Sequence, residues 1–348
     1  MPESYQPTLL IASITLLTVM LLRLAPSLPT ARGGYAFGLV LCSQAYLVSW
    51  LLNSSPMPRA LRITLLALIV AQPVFFWLTA NVLFEDRFRL RWWHILAIAG
   101  KFIVAGCIAY DRPLTNVFAG YSAEELPRLL PNFFYTLAFV FHALAVVLRT
   151  NRNDLVEPRR RLRAYVLVGT AVIIVHALLS AAVLRPLNFG SISDMISLGV
   201  IFGGALVTVT WGDVLWRDMF TAREKSASAM SDADQTIVAK ALAAMETDEL
   251  FRTEGLTVTA LATKLGVQEY KLRRAINNGL GYRNFNEYLN FYRMRAAKKF
   301  LEAPENSAYP LIHLALDLGY PSPAPFNRAF KEATGISPGE YRRRAHDN

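Results

Sequence analysis

Seven long apolar stretches follow one another in the first two thirds of the chain, at residues 8–22, 35–52, 63–84, 92–110, 130–148, 164–184 and 195–215. Each is separated from the next by a short polar loop. A helix that spans a bilayer needs about 20 mostly apolar residues. Most of the runs meet that length, and the first is the shortest. A buried helical core does not account for seven such runs in a chain of 348 residues. The reading is a seven-helix transmembrane bundle occupying residues 1–217. The first run is expected to be a membrane helix and not a cleaved leader, since no basic segment precedes it and no small-residue cleavage site follows it.

The arginines of the short loops give an orientation. With the N-terminus outside, the inner loops hold Arg23, Arg32, Arg87, Arg89, Arg91, Arg149, Arg152, Arg159, Arg160, Arg161 and Arg163. The outer loops hold only Arg59, Arg62, Arg112, Arg128 and Arg185. The C-terminal part is then cytoplasmic. Trp92, Trp93, Trp211 and Trp216 fall at the inner interface, where indoles are favoured.

Polar groups within the spans are costly and each needs a partner. Lys101 lies near the middle of the fourth run and is a candidate membrane sensor site. No acid stands at its depth, so its expected partner is an anion, a tyrosine or the backbone. His142 and His176 differ by roughly 10 Å in depth at 1.5 Å per residue, which argues against a shared metal. Pro73 is expected to kink the third span. The sequence gives no reason to assign a cofactor, a metal or catalysis, since no HExxH, GxSxG or phosphate loop is present.

The remainder is of a different kind. The net charge of +10 coexists with 53% hydrophobic residues, because apolar and charged residues are segregated along the chain. Residues 218–250 read as a juxtamembrane linker and helix. There Ile237, Val238, Ala241, Leu242 and Met245 recur at helical spacing, either to pack on the next domain or to form a short dimerising helix. Residues 251–348 carry an internal repeat. Leu261-Ala262-x-x-x-Gly266 returns as Leu314-Ala315-x-x-x-Gly319. A basic amphipathic helix follows each copy, and then a glycine and a Glu-Tyr pair.

One copy has the physics of a helix-turn-helix. Thr257 caps the first helix. Val258, Leu261 and Leu265 form its apolar face, and Gly266 permits the left-handed turn that ends it. The second helix presents Tyr270, Lys271, Arg273, Arg274, Asn277 and Asn278 outward, a basic and amide-bearing face suited to phosphates and base edges. Between the copies, residues 284–303 form a helix about 30 Å long, close to one turn of DNA at about 34 Å. Arg293, Arg295, Lys298 and Lys299 are expected on its outer face.

The stretch Gly319-Tyr-Pro-Ser-Pro-Ala-Pro-Phe-Asn-Arg-Ala-Phe-Lys-Glu-Ala-Thr-Gly-Ile-Ser-Pro-Gly-Glu-Tyr-Arg342 resembles the second helix-turn-helix signature of the AraC/XylS family of bacterial transcription regulators. The resemblance covers residues 256–344, about a quarter of the chain. It implies an all-α domain of two helix-turn-helix motifs joined by a long helix. It also implies promoter DNA as partner, with RNA polymerase as a further partner if the chain activates. By position the family's base-reading residues fall on Tyr270, Arg273 and Arg274, and on Pro323, Ala324, Asn327 and Arg328. Two departures stand out. Gln268 replaces the usual capping serine of the first recognition helix, and Pro323 and Ala324 replace longer polar side chains. Ser322 is expected to cap the second recognition helix with Pro323 at its first position and to contact DNA with Asn327 and Arg328, and Lys331 to meet phosphate. Direct readout is therefore expected mainly from the first motif.

The whole reads as a membrane-embedded one-component regulator of the bacterial cytoplasmic membrane, with an unidentified ligand or signal and a homodimer as an open oligomeric state. A transporter or channel with an appended DNA-binding domain is the alternative. It lacks the paired broken helices such a fold uses.

Overall fold

The computed structural model describes residues 6–52, 57–86, 88–110, 126–151, 153–179, 195–207, 209 and 232–347. The described chain is helical apart from one isolated antiparallel bridge between Asp154 and Asn284. It divides into two compact units. One holds Met1–Asn151 and Arg161–Thr221, and the other holds Arg152–Arg160 and Ala222–Asn348. Nine residues between the fifth and sixth apolar runs, Arg152–Arg160, thus group with the C-terminal unit.

The first unit is built of α1 (Gln6–Leu24), α2 (Ala31–Leu51), α3 (Arg59–Phe84), α4 (Trp92–Tyr110), α5 (Leu126–Arg149), α6 (Glu157–Leu179) and α7 (Met195–Val207). Among the described residues, α1, α2, α3 and the apolar part of α5 are long and apolar enough to cross a membrane, while Trp92–Cys107 and Met195–Val207 are shorter apolar helices. The last two expected spans, 164–184 and 195–215, extend beyond the described residues, as do Trp211 and Trp216. Large apolar side chains stand exposed along α4 to α6, among them Ile95, Leu96, Ile103, Phe133, Phe134, Phe141, Val168 and Ile173. Apolar exposure on this scale fits a membrane domain.

Close approach and polar pairs hold these helices together, as packing between apolar surfaces in lipid requires. Gly38 of α2 lies against the ring of Phe75 of α3, with no room for a Cβ. Gln44 Nε2 donates to Thr18 Oγ1 at 2.9 Å, Gln72 Nε2 to Ser43 Oγ at 3.1 Å, and Trp77 Nε1 to His142 Nδ1 at 2.8 Å. Lys101 is buried. Its ammonium donates to the carbonyl of Asn132 (3.2 Å), to Asn132 Oδ1 (2.5 Å) and to Thr136 Oγ1 (2.7 Å). Of the expected partners, an anion, a tyrosine or the backbone, the backbone carbonyl of Asn132 is present, joined by two neutral side-chain oxygens. No cluster of three metal-ligating side chains occurs among the described residues. The side chain of His176 lies outside them. Pro73 lies inside the unbroken span of α3.

The second unit has one core. Helix α8 (Asp232–Glu246) buries Ile237, Ala241, Ala244 and Met245 in it, so the helix packs on its own domain. That uses the apolar face that a dimerising helix would have needed. Tyr288 anchors the contact by donating to the carbonyl of Ala241 at 2.8 Å. The long helix α11 (Phe285–Glu302) runs through the centre of the unit, burying Phe285, Tyr288, Leu289, Tyr292, Ala297 and Leu301. Asn284 caps it by accepting from the amide of Asn286 at 2.8 Å.

Candidate nucleic-acid interface

Each half of the C-terminal unit is a helix, a glycine turn and a second helix. In the first motif α9 (Val258–Leu265) starts at Thr257, whose hydroxyl accepts from the amide of Ala260 at 3.1 Å. It ends at Gly266, with φ +64°, and the amide of Val267 reaches back to the carbonyl of Ala262 at 3.0 Å. The second motif repeats this closure. Helix α12 (Leu311–Asp317) ends before Gly319, with φ +78°, and the amide of Tyr320 reaches the carbonyl of Ala315 at 3.1 Å. The repeated Leu-Ala-x-x-x-Gly is the sequence of this left-handed stop. The two glycines differ in one respect. Space is open around Gly266, whereas a Cβ on Gly319 would lie 2.5 Å from the carbonyl oxygen of Arg252.

The second recognition helix, α13 (Pro323–Thr334), separates its faces cleanly. Phe326 and Phe330 are fully buried, while Asn327, Arg328 and Lys331 are exposed and lie on the outer side. Ser322 occupies the capping position but makes no side-chain bond there. The reason lies in the sequence. A capping oxygen accepts from the second or third amide of the helix, and Pro325 at the third position removes one of the two, leaving only that of Ala324. Helix α14 (Pro338–His346) fastens this motif to α11. Tyr341 donates to Glu302 Oε1 at 2.5 Å, and Arg342 Nη1 to the carbonyl of Tyr309 at 2.6 Å. The bond to the Glu302 carboxylate, helped by burial, pushes the Tyr341 phenol up to about 12.

The first recognition helix, α10 (Glu269–Arg274), is shorter and continues as a π-helical turn over Ala275–Gly279. Gln268 makes no side-chain cap. Tyr270 is 55% exposed, with the ammonium of Lys271 6.0 Å from its ring centre. Of the other four expected contact residues, Asn278 is exposed and three are engaged within the unit. Asn277 Nδ2 donates to the carbonyl of Tyr282 at 2.8 Å. Arg274 is exposed yet pairs with Asp234 of α8 at 2.6 Å. Arg273 is only 5% exposed. Its Nε donates to Glu269 Oε1 at 2.7 Å and its Nη1 to the carbonyl of Asp154 at 2.6 Å. Burial pushes the Arg273 guanidinium down from its ordinary value. Burial alone would raise Glu269, but hydrogen bonds from Thr259 and Arg273 and the charge of Arg273 hold its carboxyl below the usual range.

Helix α11 has 18 residues, or about 27 Å at 1.5 Å per residue. Arg295 and Lys299 stand on its exposed face and Lys298 is half-buried. Arg293 does not belong to that face. Its Nε donates to the carbonyl of Phe251 at 2.8 Å, and its guanidinium lies 4.7 Å from the ring centre of Tyr320. It ties α11 to the turn of the second motif instead of meeting phosphate. Burial pushes the neighbouring Tyr320 phenol up to about 12.

Two tethered helix-turn-helix motifs on a common rod define a DNA-binding module. A family model described as a helix-turn-helix domain matches residues 261–344. The chain is also 30% identical over 94 residues to the probable transcription factor PqrA of Proteus vulgaris, a match covering 27% of this chain and 74% of that protein. No solved structure matches significantly. The chain belongs to the AraC/XylS family of transcription regulators and joins that family's DNA-binding domain to an N-terminal set of apolar helices. Asp154, Glu269 and Asp234 are the residues that sequence reasoning missed. The one signal for the first was Leu155-Val156, an apolar pair in an otherwise polar loop.

Proposed function

We propose that the protein is a one-component regulator held in the bacterial cytoplasmic membrane, with its N-terminus outside and its DNA-binding domain in the cytoplasm. The membrane domain senses a signal in the bilayer or beyond it, and the C-terminal domain binds promoter DNA sequence-specifically. The observation that carries this is α13. A helix with two fully buried phenylalanines and an outer row of Asn327, Arg328 and Lys331 has the form of a recognition helix, in which amide and guanidinium groups meet base edges and an ammonium meets phosphate. The arginine bias of the inner loops supports the orientation. Tyr270 and Lys271 offer a second contact patch on α10. RNA polymerase is a partner if the protein activates.

Footprinting with the full chain in lipid nanodiscs tests the reading. Two protected segments on one face of the duplex, about one helical turn apart, are expected. Protection that ignores sequence would contradict it.

A further inference from the structure

The loop between α5 and α6 supplies a segment that belongs to the DNA-binding unit. Residues 153–156 lie along the start of α11 as a single antiparallel bridge. The amide of Leu155 donates to the carbonyl of Arg283 at 3.0 Å, and the amide of Phe285 to the carbonyl of Asn153 at 2.8 Å. The side chain of Leu155 is 2% exposed and sits in the core with Leu272 and Ile276 of the first motif. Asp154 is turned back by its own side chain, Oδ1 accepting from the amide of Val156 at 3.0 Å. That leaves its carbonyl to accept from Arg273 Nη1 at 2.6 Å. Arg160, in the first turn of α6, adds a positive charge that is felt at both Glu269 and Arg273.

This arrangement does two things at once. It fills a gap in the hydrophobic core with Leu155, and it occupies the guanidinium that the family pattern assigns to base reading. A guanidinium donating to a backbone carbonyl from a buried position does not reach a base edge or a phosphate. The segment is joined covalently to α5 on one side and continues into α6 on the other, with only seven residues between the ends of the two helices. A displacement of either helix end is therefore delivered to residues 153–156 by the chain itself.

We infer that residues 153–156 are an intramolecular clamp on the first helix-turn-helix, and that their release frees Arg273 for DNA. This rests on the DNA-binding reading above and adds its control point. In the clamped state α13 provides the main grip. On release α10 adds Arg273, so the signal changes affinity and specificity together. Coupling of this kind needs two states that differ in their contacts, and the two hydrogen-bonding fates of Arg273 supply that difference.

The test uses the full chain in nanodiscs and a DNA fragment from its most strongly occupied genomic site. Leu155→Ala weakens the docking of the segment and is expected to tighten DNA binding by about 5- to 150-fold, the usual span of allosteric coupling. Arg273→Ala is expected to abolish that gain in the Leu155→Ala background. A second variant locks the clamp. Asp154 and Asn284 face each other as a non-hydrogen-bonded antiparallel pair, with Cα atoms at a spacing that suits a disulfide. The double variant Asp154→Cys, Asn284→Cys is expected to bind as weakly as the wild type when oxidised and more tightly when reduced, a comparison made within one folded protein. The reduced pair lacks the Asp154 Oδ1–Val156 bond that shapes the segment. Unchanged or weaker binding by Leu155→Ala, or no difference between oxidised and reduced lock, overturns the clamp. If neither wild type nor any variant prefers the fragment over random DNA, the DNA-binding reading falls and takes the clamp with it.

Discussion

The two helix-turn-helix motifs share a plan and differ in what their second helices have left to offer. Both close their first helix with the same left-handed glycine turn. Beyond the turn, α13 is anchored from behind by Phe326 and Phe330, and its polar side chains stand in solvent. On α10 and the π-helical turn after it the polar side chains also hold the domain together, with Arg273 bound to Glu269 and Asp154, Arg274 to Asp234 and Asn277 to Tyr282. The sequence favours the first motif for readout, since its second helix carries two arginines where α13 begins Pro-Ala-Pro. In the structure, Arg273, Arg274 and Asn277 are engaged within the domain. A recognition helix is defined by the side chains its own fold does not consume, and residue type alone does not reveal that.

The largest expected differences come from truncating the buried side chains behind the two second helices, which share one core. Phe326→Ala removes a fully buried ring and should destabilise the second motif by about 3–5 kcal/mol, against about 2–5 for Leu272→Ala in the first. Hydrogen exchange is the readout. Phe326→Ala should lower protection in α12–α14, and Leu272→Ala in α9 and α10. Spread of either loss evenly over both motifs would show that the domain does not divide as described.

The turns come next. Gly266→Ala forces a side chain into the left-handed region, a cost of about 1–2 kcal/mol. Gly319→Ala meets the same cost and also a contact with the Arg252 carbonyl, so its penalty should be clearly larger. Equal penalties, measured as the shift in thermal midpoint of DNA binding, would remove that distinction between the motifs.

DNA contacts sharpen the comparison further. Arg328→Ala should cost about 1–3 kcal/mol of specific binding and relax preference at one base pair, whereas Lys331→Ala should weaken all sequences alike and lower the salt slope by about 1. Binding measured across single-base variants of the site at two salt concentrations separates the two. Uniform weakening by both would sink the assignment of Arg328 to base reading.

The smallest effects lie at the ends of α10. Gln268→Ser should add about 0.5–1 kcal/mol of stability by supplying the missing cap. Glu269 is held below its ordinary value in the folded domain. Its contribution is therefore present above the unfolded carboxyl value of about 4.3 and is lost as pH falls through the lower folded value. Glu269→Gln should flatten that part of the acid unfolding profile by lowering stability at neutral pH while leaving the acid end of the curve in place.

Local signals in the sequence carried much of the fold. Thr257, Asn284 and Ser337 sit where short polar side chains cap helices, and Gly266, Gly319 and Gly335 where helices stop. The apolar periodicity of α11 matches its buried face. What escaped was set by distant partners. Arg293 looks solvated by periodicity but is drawn in by the carbonyls of Phe251 and Thr253, about 40 residues away. Arg273 is covered by a loop 119 residues earlier in the chain. Helical periodicity ranks positions by angle around one helix, and it says nothing of which far segment will cover a given face. Lys101 was legible as a buried cation in need of partners, while the neutral identity of those partners depended on how α4 and α5 pack.

Genome-wide DNA occupancy of the intact, membrane-held protein tests the central claim most directly. Discrete promoter sites are expected, lost when Asn327 and Arg328 are both changed to alanine and retained when Arg295 alone is. Occupancy without site preference, or discrete sites that survive loss of both α13 side chains, would contradict the account.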